Sequence, residues 1–207
     1  MGVENHKIIN DFLSDEEVNE LLIWVDTLTQ EKINPNHHLT QIAKSLNGSS
    51  YIFDISNTNL TNYITNYQSI GSVKLDELPS LVKDILKRVY TKLNLPQTNC
   101  FLQVVDMKKG GKISPHYDAS IDGYINYKCN ISVLSEDYNF YIDKTTILIK
   151  QKDLYCFEAS LFKHFTDEFQ SRRVFLSFGF IVPYNIMGRD DRDHRVRLSK
   201  RIKKYLQ

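Results

Sequence analysis

Two imidazoles and a carboxylate set the chemistry this chain could perform. His116 and Asp118 stand two positions apart, His164 follows downstream, and Arg173 opens a run of Val174, Phe175, Leu176, Phe178 and Phe180. Alternate residues of a strand share a face, so His116 and Asp118 point the same way, and a histidine from a distant strand can complete a three-donor set. Two His and one carboxylate on one side of a metal leave positions open opposite them, a donor set that suits non-heme Fe(II) oxygen chemistry. Arginine rarely enters so apolar a strand without an anionic partner, and its planar fork matches a carboxylate. Strand alternation lets only one of Arg172 and Arg173 face inward. Arg173 is the choice, because Ser177 and the small Gly179 share its face and leave room for a ligand.

The elements that must hold these groups follow from periodicity. Ser14 and Glu17 form a capping box, with Leu13 and Val18 at staple positions, ahead of Val18, Leu21, Leu22, Val25 and Leu28 at helical spacing. Pro79 opens a second helix, in which Leu78, Val82, Ile85, Val89 and Leu93 repeat on one face until Asn94-Leu95-Pro96 stops it. From residue 100 the period becomes that of strands, at 101–107, 112–118, 127–134, 140–149, 154–157, 164–165 and 174–182, separated by turn signals such as Lys109-Gly110-Gly111. The first two are expected to pair as a hairpin through that turn. Residues 31–75 are polar and weakly periodic, with strands expected at 51–55 and 60–67, and suit either a variable region that shapes a substrate mouth or a biased composition without functional meaning. The expected architecture is mainly β: a jelly-roll barrel with helices packed outside.

At 207 residues, 42% hydrophobic, the chain is expected to form a single domain: a helical and variable part over 1–99, a β core over 100–184 and a tail over 185–207. A net charge of +1 gives no global pull toward nucleic acid or membrane. The tail, however, holds eight Lys or Arg against three Asp, with Leu198, Ile202, Tyr205 and Leu206 on one helical face. It reads as a basic amphipathic helix that either packs on the core or serves as a nucleic-acid or partner-binding arm. No apolar run approaches the roughly 20 residues needed to span a bilayer, so a soluble intracellular protein is expected. The three cysteines, Cys100, Cys129 and Cys156, are expected to be free buried thiols. His37 and His38 lie in a polar stretch without ligand-spaced partners and read as solvated.

In its order of HxD, distal His and a following Arg, the chain resembles the Fe(II)/2-oxoglutarate-dependent oxygenases over about residues 100–183. The resemblance implies a double-stranded β-helix, with His116, Asp118 and His164 as iron ligands. Arg173, assisted by Ser177, would partner the far carboxylate of 2-oxoglutarate, and dioxygen would be the other cosubstrate. Tyr117, Asp122 and Tyr124, beside the ligand pair, are the expected substrate contacts. The segment KGGKISPHYD, 109–118, is similar to both prolyl-hydroxylase-type enzymes and AlkB-type nucleic-acid demethylases. AlkB-type proteins usually carry a second arginine where this chain has Gly179, a tyrosine where it has Met107 and an acidic residue where it has Ser120. The short step from His164 to Arg173 is closer to that of protein and small-molecule hydroxylases. Three functions are thereby implied: a hydroxylase of a protein side chain or small molecule, a nucleic-acid demethylase using the basic tail, and a catalytically silent binding module.

Overall fold

A computed structural model describes residues 6–28, 48–54, 78–95, 100–118 and 123–188. Helix α1 (Asp15–Thr27) starts at the capping box, where the Glu17 amide donates to Ser14 Oγ at 3.2 Å and the Ser14 amide to Glu17 Oε2 at 2.9 Å. Two of the orphan amides of the first turn are thereby satisfied. Helix α2 (Ser80–Leu93) follows Pro79 and ends at Asn94, whose left-handed φ of 50° closes the last turn. The strands are β1 (His6–Ile9), β2 (Gly48–Asp54), β3 (Cys100–Met107), β4 (Tyr124–Leu134), β5 (Tyr138–Ile142), β6 (Thr145–Ile149), β7 (Leu154–Glu158), β8 (His164–Thr166) and β9 (Arg173–Pro183).

These strands form a six-stranded antiparallel sheet in the order β1-β7-β4-β9-β3-β2 and a three-stranded sheet β6-β5-β8. Alternation along the large sheet separates two cores. The outward set, Leu102, Val104, Ile125, Cys129, Ile131, Leu176, Phe178 and Phe180, packs with Val18, Leu21, Val25, Val82, Ile85 and Val89 of the helices. The inward set, Val105, Met107, Tyr155, Phe157 and Phe175, packs with Phe140, Ile142, Ile147 and Ile149 of the small sheet. Each such fully buried side chain contributes about 1.5–3 kcal/mol. The two sheets face each other but are not closed into one hydrogen-bonded barrel among the described residues. All three cysteines are buried free thiols on or beside the helix-facing core. No helix among the described residues is long and apolar enough to cross a membrane.

Three strand expectations need correction. The hairpin between 101–107 and 112–118 does not form, because both edges of β3 are taken, one by β2 and the other by β9. After Gly110 turns the chain at φ 85°, residues 111–118 instead run beside the segment that follows β7. The Phe169 amide donates to the Gly111 carbonyl at 2.9 Å, that of Thr166 to Ile113 at 3.1 Å and that of Asp118 to Ala159 at 3.0 Å. The expected strand 140–149 is two strands, β5 and β6, reversed at Asp143, whose φ of 52° is left-handed. Strand β1 was absent from the expectation, since four residues are too short to show an alternation. The expected strand 60–67, most of the region 31–75 and the basic tail helix lie outside the described residues.

One close approach shapes the inward face. The ring of Phe101 lies over Gly179, its cross-strand partner, so that a Cβ at Gly179 would overlap the ring. The room that Gly179 leaves on the face of Arg173 is therefore filled by Phe101 rather than left for a ligand. Gly179→Ala is expected to lower stability by about 1–3 kcal/mol through overpacking. Adding Phe101→Leu should return part of that loss, and chemical denaturation of the two single variants and the double variant measures the coupling.

Candidate metal centre

Three chain segments bring the donors together. His116 and His164 exchange backbone hydrogen bonds, His116 N–H to His164 O at 3.2 Å and His164 N–H to His116 O at 2.9 Å, so their side chains emerge on one face with ring centroids 4.3 Å apart. Asp118, tied to Ala159 just past β7, completes the group. Asp118 Oδ1 lies 3.3 Å from His116 Nε2 and 3.7 Å from His164 Nε2, and one donor atom from each of the three residues lies within 4.8 Å of the others.

Each ring's tautomer follows from its other nitrogen. His116 Nδ1 sits 2.7 Å from the Ser114 carbonyl and His164 Nδ1 3.1 Å from the Phe162 carbonyl. A carbonyl only accepts, so in the neutral ring each Nδ1 carries the proton and each Nε2 presents a lone pair to Asp118. Burial pushes His164 down to about 4, leaving it neutral at pH 7. Burial would raise the Asp118 carboxyl, but the Lys128 ammonium, together with the hydrogen bond from His116 and the charges that His164 and His116 carry when protonated, outweighs it and holds it far below the usual carboxylate range. A neutral imidazole lone pair facing an ionised carboxylate across 3.7 Å is repulsive unless a cation lies between them. The donor set thus fits a divalent metal. The His164 side chain is 6% exposed and that of His116 45%, so the group opens to solvent on the His116 side.

Deeper in, Arg173 is fully buried at the start of β9 and projects toward the small sheet. Its Nη2 donates to the hydroxyls of Tyr138 at 2.5 Å and Tyr155 at 3.0 Å, and the rings of Tyr138, Phe169 and Phe175 lie 4.1, 4.5 and 4.3 Å from the guanidinium carbon. Nε and Nη1 are buried without a hydrogen-bond partner. Tyr155 accepts from Arg173 and from the Tyr138 hydroxyl at 3.2 Å, which leaves its own proton to donate elsewhere. A buried cation with two idle N–H edges, an aromatic cage and an adjacent hydroxyl fits the carboxylate of an incoming ligand. Arg172, the residue before it, turns outward to Asp106 and Asp26.

The other candidates fall into place by register. Ser177 is buried on the face of Arg173, opposite Asn130 of β4. Tyr124 is 38% exposed on the same side of β4 as Asn126, and Tyr117 is half-buried between the two ligand positions. Asp122 lies outside the described residues. Sequence reasoning missed four participants: Tyr138, Tyr155, Asn126 and Lys128. Lys128 carried the same signal that singled out Arg173, a charge inside an apolar strand.

Metal binding should depend on pH through His116. Burial works against its charged form, but the Asp118 carboxylate outweighs this and raises it above its ordinary 6.5. Its proton competes with the metal, whereas His164 is already neutral and Asp118 already ionised. Mn(II) titrations between about pH 5.5 and 8.5 should show affinity rising with pH at a slope near one proton, then levelling above the raised His116 value. A flat profile across that range contradicts this assignment.

No protein-family model matches the sequence, and no curated protein matches it. Solved structures do. A viral collagen prolyl hydroxylase from Paramecium Bursaria Chlorella virus-1, determined as its 2OG complex, is 16% identical with a TM-score of 0.53, over 87% of this chain and 96% of that one. A prolyl hydroxylase from Trichoplax adhaerens, in complex with a peptide fragment of hypoxia inducible factor, is 14% identical at 0.53, over 86% and 84%. An oxidoreductase of the 2OG-Fe(II) oxygenase family from Burkholderia pseudomallei is 10% identical at 0.55, over 86% and 84%. The chain thus shares the β-rich fold of prolyl hydroxylases and of a 2OG-Fe(II) oxygenase.

Proposed function

We propose that this protein is an Fe(II)- and 2-oxoglutarate-dependent dioxygenase that hydroxylates a C–H bond, on a double-stranded β-helix formed by the two facing sheets. The convergence of His116 Nε2, Asp118 Oδ1 and His164 Nε2, with both Nδ1 protons committed to carbonyls, carries the proposal. Those three atoms would hold the iron. Bound there with 2-oxoglutarate and dioxygen, the metal supplies an oxidant that inserts one oxygen atom into a C–H bond, as the cosubstrate becomes succinate and carbon dioxide. The chain contributes binding, orientation and exclusion of water. The idle Nε and Nη1 edges of Arg173 and the Tyr155 hydroxyl would take the far carboxylate, with Ser177 beside them. Tyr138 holds the guanidinium in place from the other sheet.

A peptide or small molecule is the proposed substrate class, reached from the open His116 side, where Tyr117 and Tyr124 flank the site. The fold likeness to a prolyl hydroxylase bound to a peptide favours a protein side chain. No observation among the described residues favours the nucleic-acid demethylase: the position of the second arginine is Gly179, covered by Phe101.

Protein purified without oxygen, loaded with Fe(II) and 2-oxoglutarate and then exposed to air, should release succinate above a metal-free control. His116→Ala and Asp118→Ala should abolish metal binding and succinate release together. Arg173→Met should leave metal binding intact and weaken 2-oxoglutarate by about 1.5–3 kcal/mol, a charged hydrogen bond's worth. Arg173→Lys should recover little of that, having no fork. Succinate that stays at background in wild-type protein, with no metal taken up, contradicts the proposal.

A further inference from the structure

The two oxygens of Asp118 have different neighbours. Oδ1 faces both imidazoles, whereas Oδ2 takes the Asn126 side-chain amide at 3.3 Å and lies 3.6 Å from Lys128 Nζ. Both neighbours sit on the inward side of β4, one residue apart in its alternation. Their positions are built rather than incidental. The Asn126 backbone is fixed at both ends, its amide donating to Ser160 Oγ at 3.1 Å and its carbonyl accepting from Ala159 at 2.9 Å, so the side chain is delivered to Asp118.

Lys128 is 8% exposed in a strand whose other face is apolar core. Its cross-strand partner is Gly179, the gap into which the Phe101 ring folds, and that ring lies 4.6 Å beneath the ammonium. Gln103 Oε1, at 3.5 Å, accepts from the same ammonium. Burying a lysine is costly unless a partner compensates it, and here glycine, ring and amide combine to bring the charge to one carboxylate oxygen.

A carboxylate can bind a cation through one oxygen or through both, and the second mode occupies one more coordination position. We infer that Lys128 and Asn126 are positioning residues that keep Asp118 a one-oxygen ligand by holding Oδ2 away from the metal. Three positions then stay open, as many as a two-point cosubstrate and dioxygen require. This inference rests on the oxygenase reading above and adds residues that this reading does not require.

The test uses full-length protein, Mn(II) alone and then 2-oxoglutarate on Mn(II)-loaded protein, each followed by calorimetry without oxygen. With Lys128→Met or Asn126→Val, Oδ2 is freed to join the metal. Mn(II) should then bind as tightly as in wild type or more tightly, while 2-oxoglutarate binds about tenfold more weakly. Lys128→Arg should restore cosubstrate affinity. Asn126→Val removes no charge, so it separates positioning from simple electrostatic attraction of an anion, and it carries the test alone if Lys128→Met does not fold. A parallel loss of Mn(II) and 2-oxoglutarate, unchanged 2-oxoglutarate affinity, or a response confined to Lys128→Met overturns the inference. Wild-type protein that takes up no Mn(II) overturns the oxygenase reading itself and, with it, this inference.

Discussion

A neutral imidazole lone pair and an ionised carboxylate facing each other across 3.7 Å is an arrangement that two bare groups would not choose. His164 is held in it by its pairing with His116, by its Nδ1 bond to Phe162 and by the packed rings of Phe157 and Phe140 at 4.7 and 6.1 Å. Asp118 is held by Ala159, Asn126 and Lys128. A site over-determined from several directions keeps its donors aimed, so little reorganisation is needed to bind a cation.

The fold serves that constraint through the segment 111–118, which belongs to neither sheet yet bonds to both the end of β7 and β8. The large sheet supplies Lys128, Asn126, Ser177 and Arg173 from adjacent strands β4 and β9, and the small sheet supplies Tyr138 and His164. On the inward face, Lys128 stands opposite Gly179 with its ammonium toward the carboxylate of Asp118, and Arg173 stands buried at the start of β9 on the same face as Gly179. The two cations differ in function: Arg173 keeps two idle edges for a ligand, whereas Lys128 is committed to Asp118, a proposed metal ligand.

Much of this was legible in the residue order, and the failures have physical causes. The helices could be read because Val18, Leu21 and Val25 recur at helical spacing behind a capping box, and β9 because ten residues of near-continuous apolarity need two covered faces. The segment 112–118 misled because alternation reports exposure, not pairing partner, and the edges of β3 are occupied by β2 and β9, both distant in the chain. The break at Asp143 was hidden because Asp143-Lys144 interrupts an otherwise strand-like run without glycine or proline. Arg173 stood out as a charge among apolar neighbours. Lys128 did too, but its partner Asp118 is ten residues away in the chain, and the reason for its burial, the gap at Gly179 filled by Phe101, emerges only once β3, β4 and β9 are in register. Tyr138 and Tyr155 were ordinary strand aromatics until Arg173 was found between them.

A crystal structure of the protein with Mn(II) and 2-oxoglutarate, with the metal located by anomalous scattering, tests the central claim most directly. The account predicts one strong peak within coordination distance of His116 Nε2, His164 Nε2 and only Oδ1 of Asp118, with the far carboxylate of 2-oxoglutarate on Nε and Nη1 of Arg173. A metal bound elsewhere, either imidazole turned away from it, or a protein carboxylate already occupying Arg173 would contradict it.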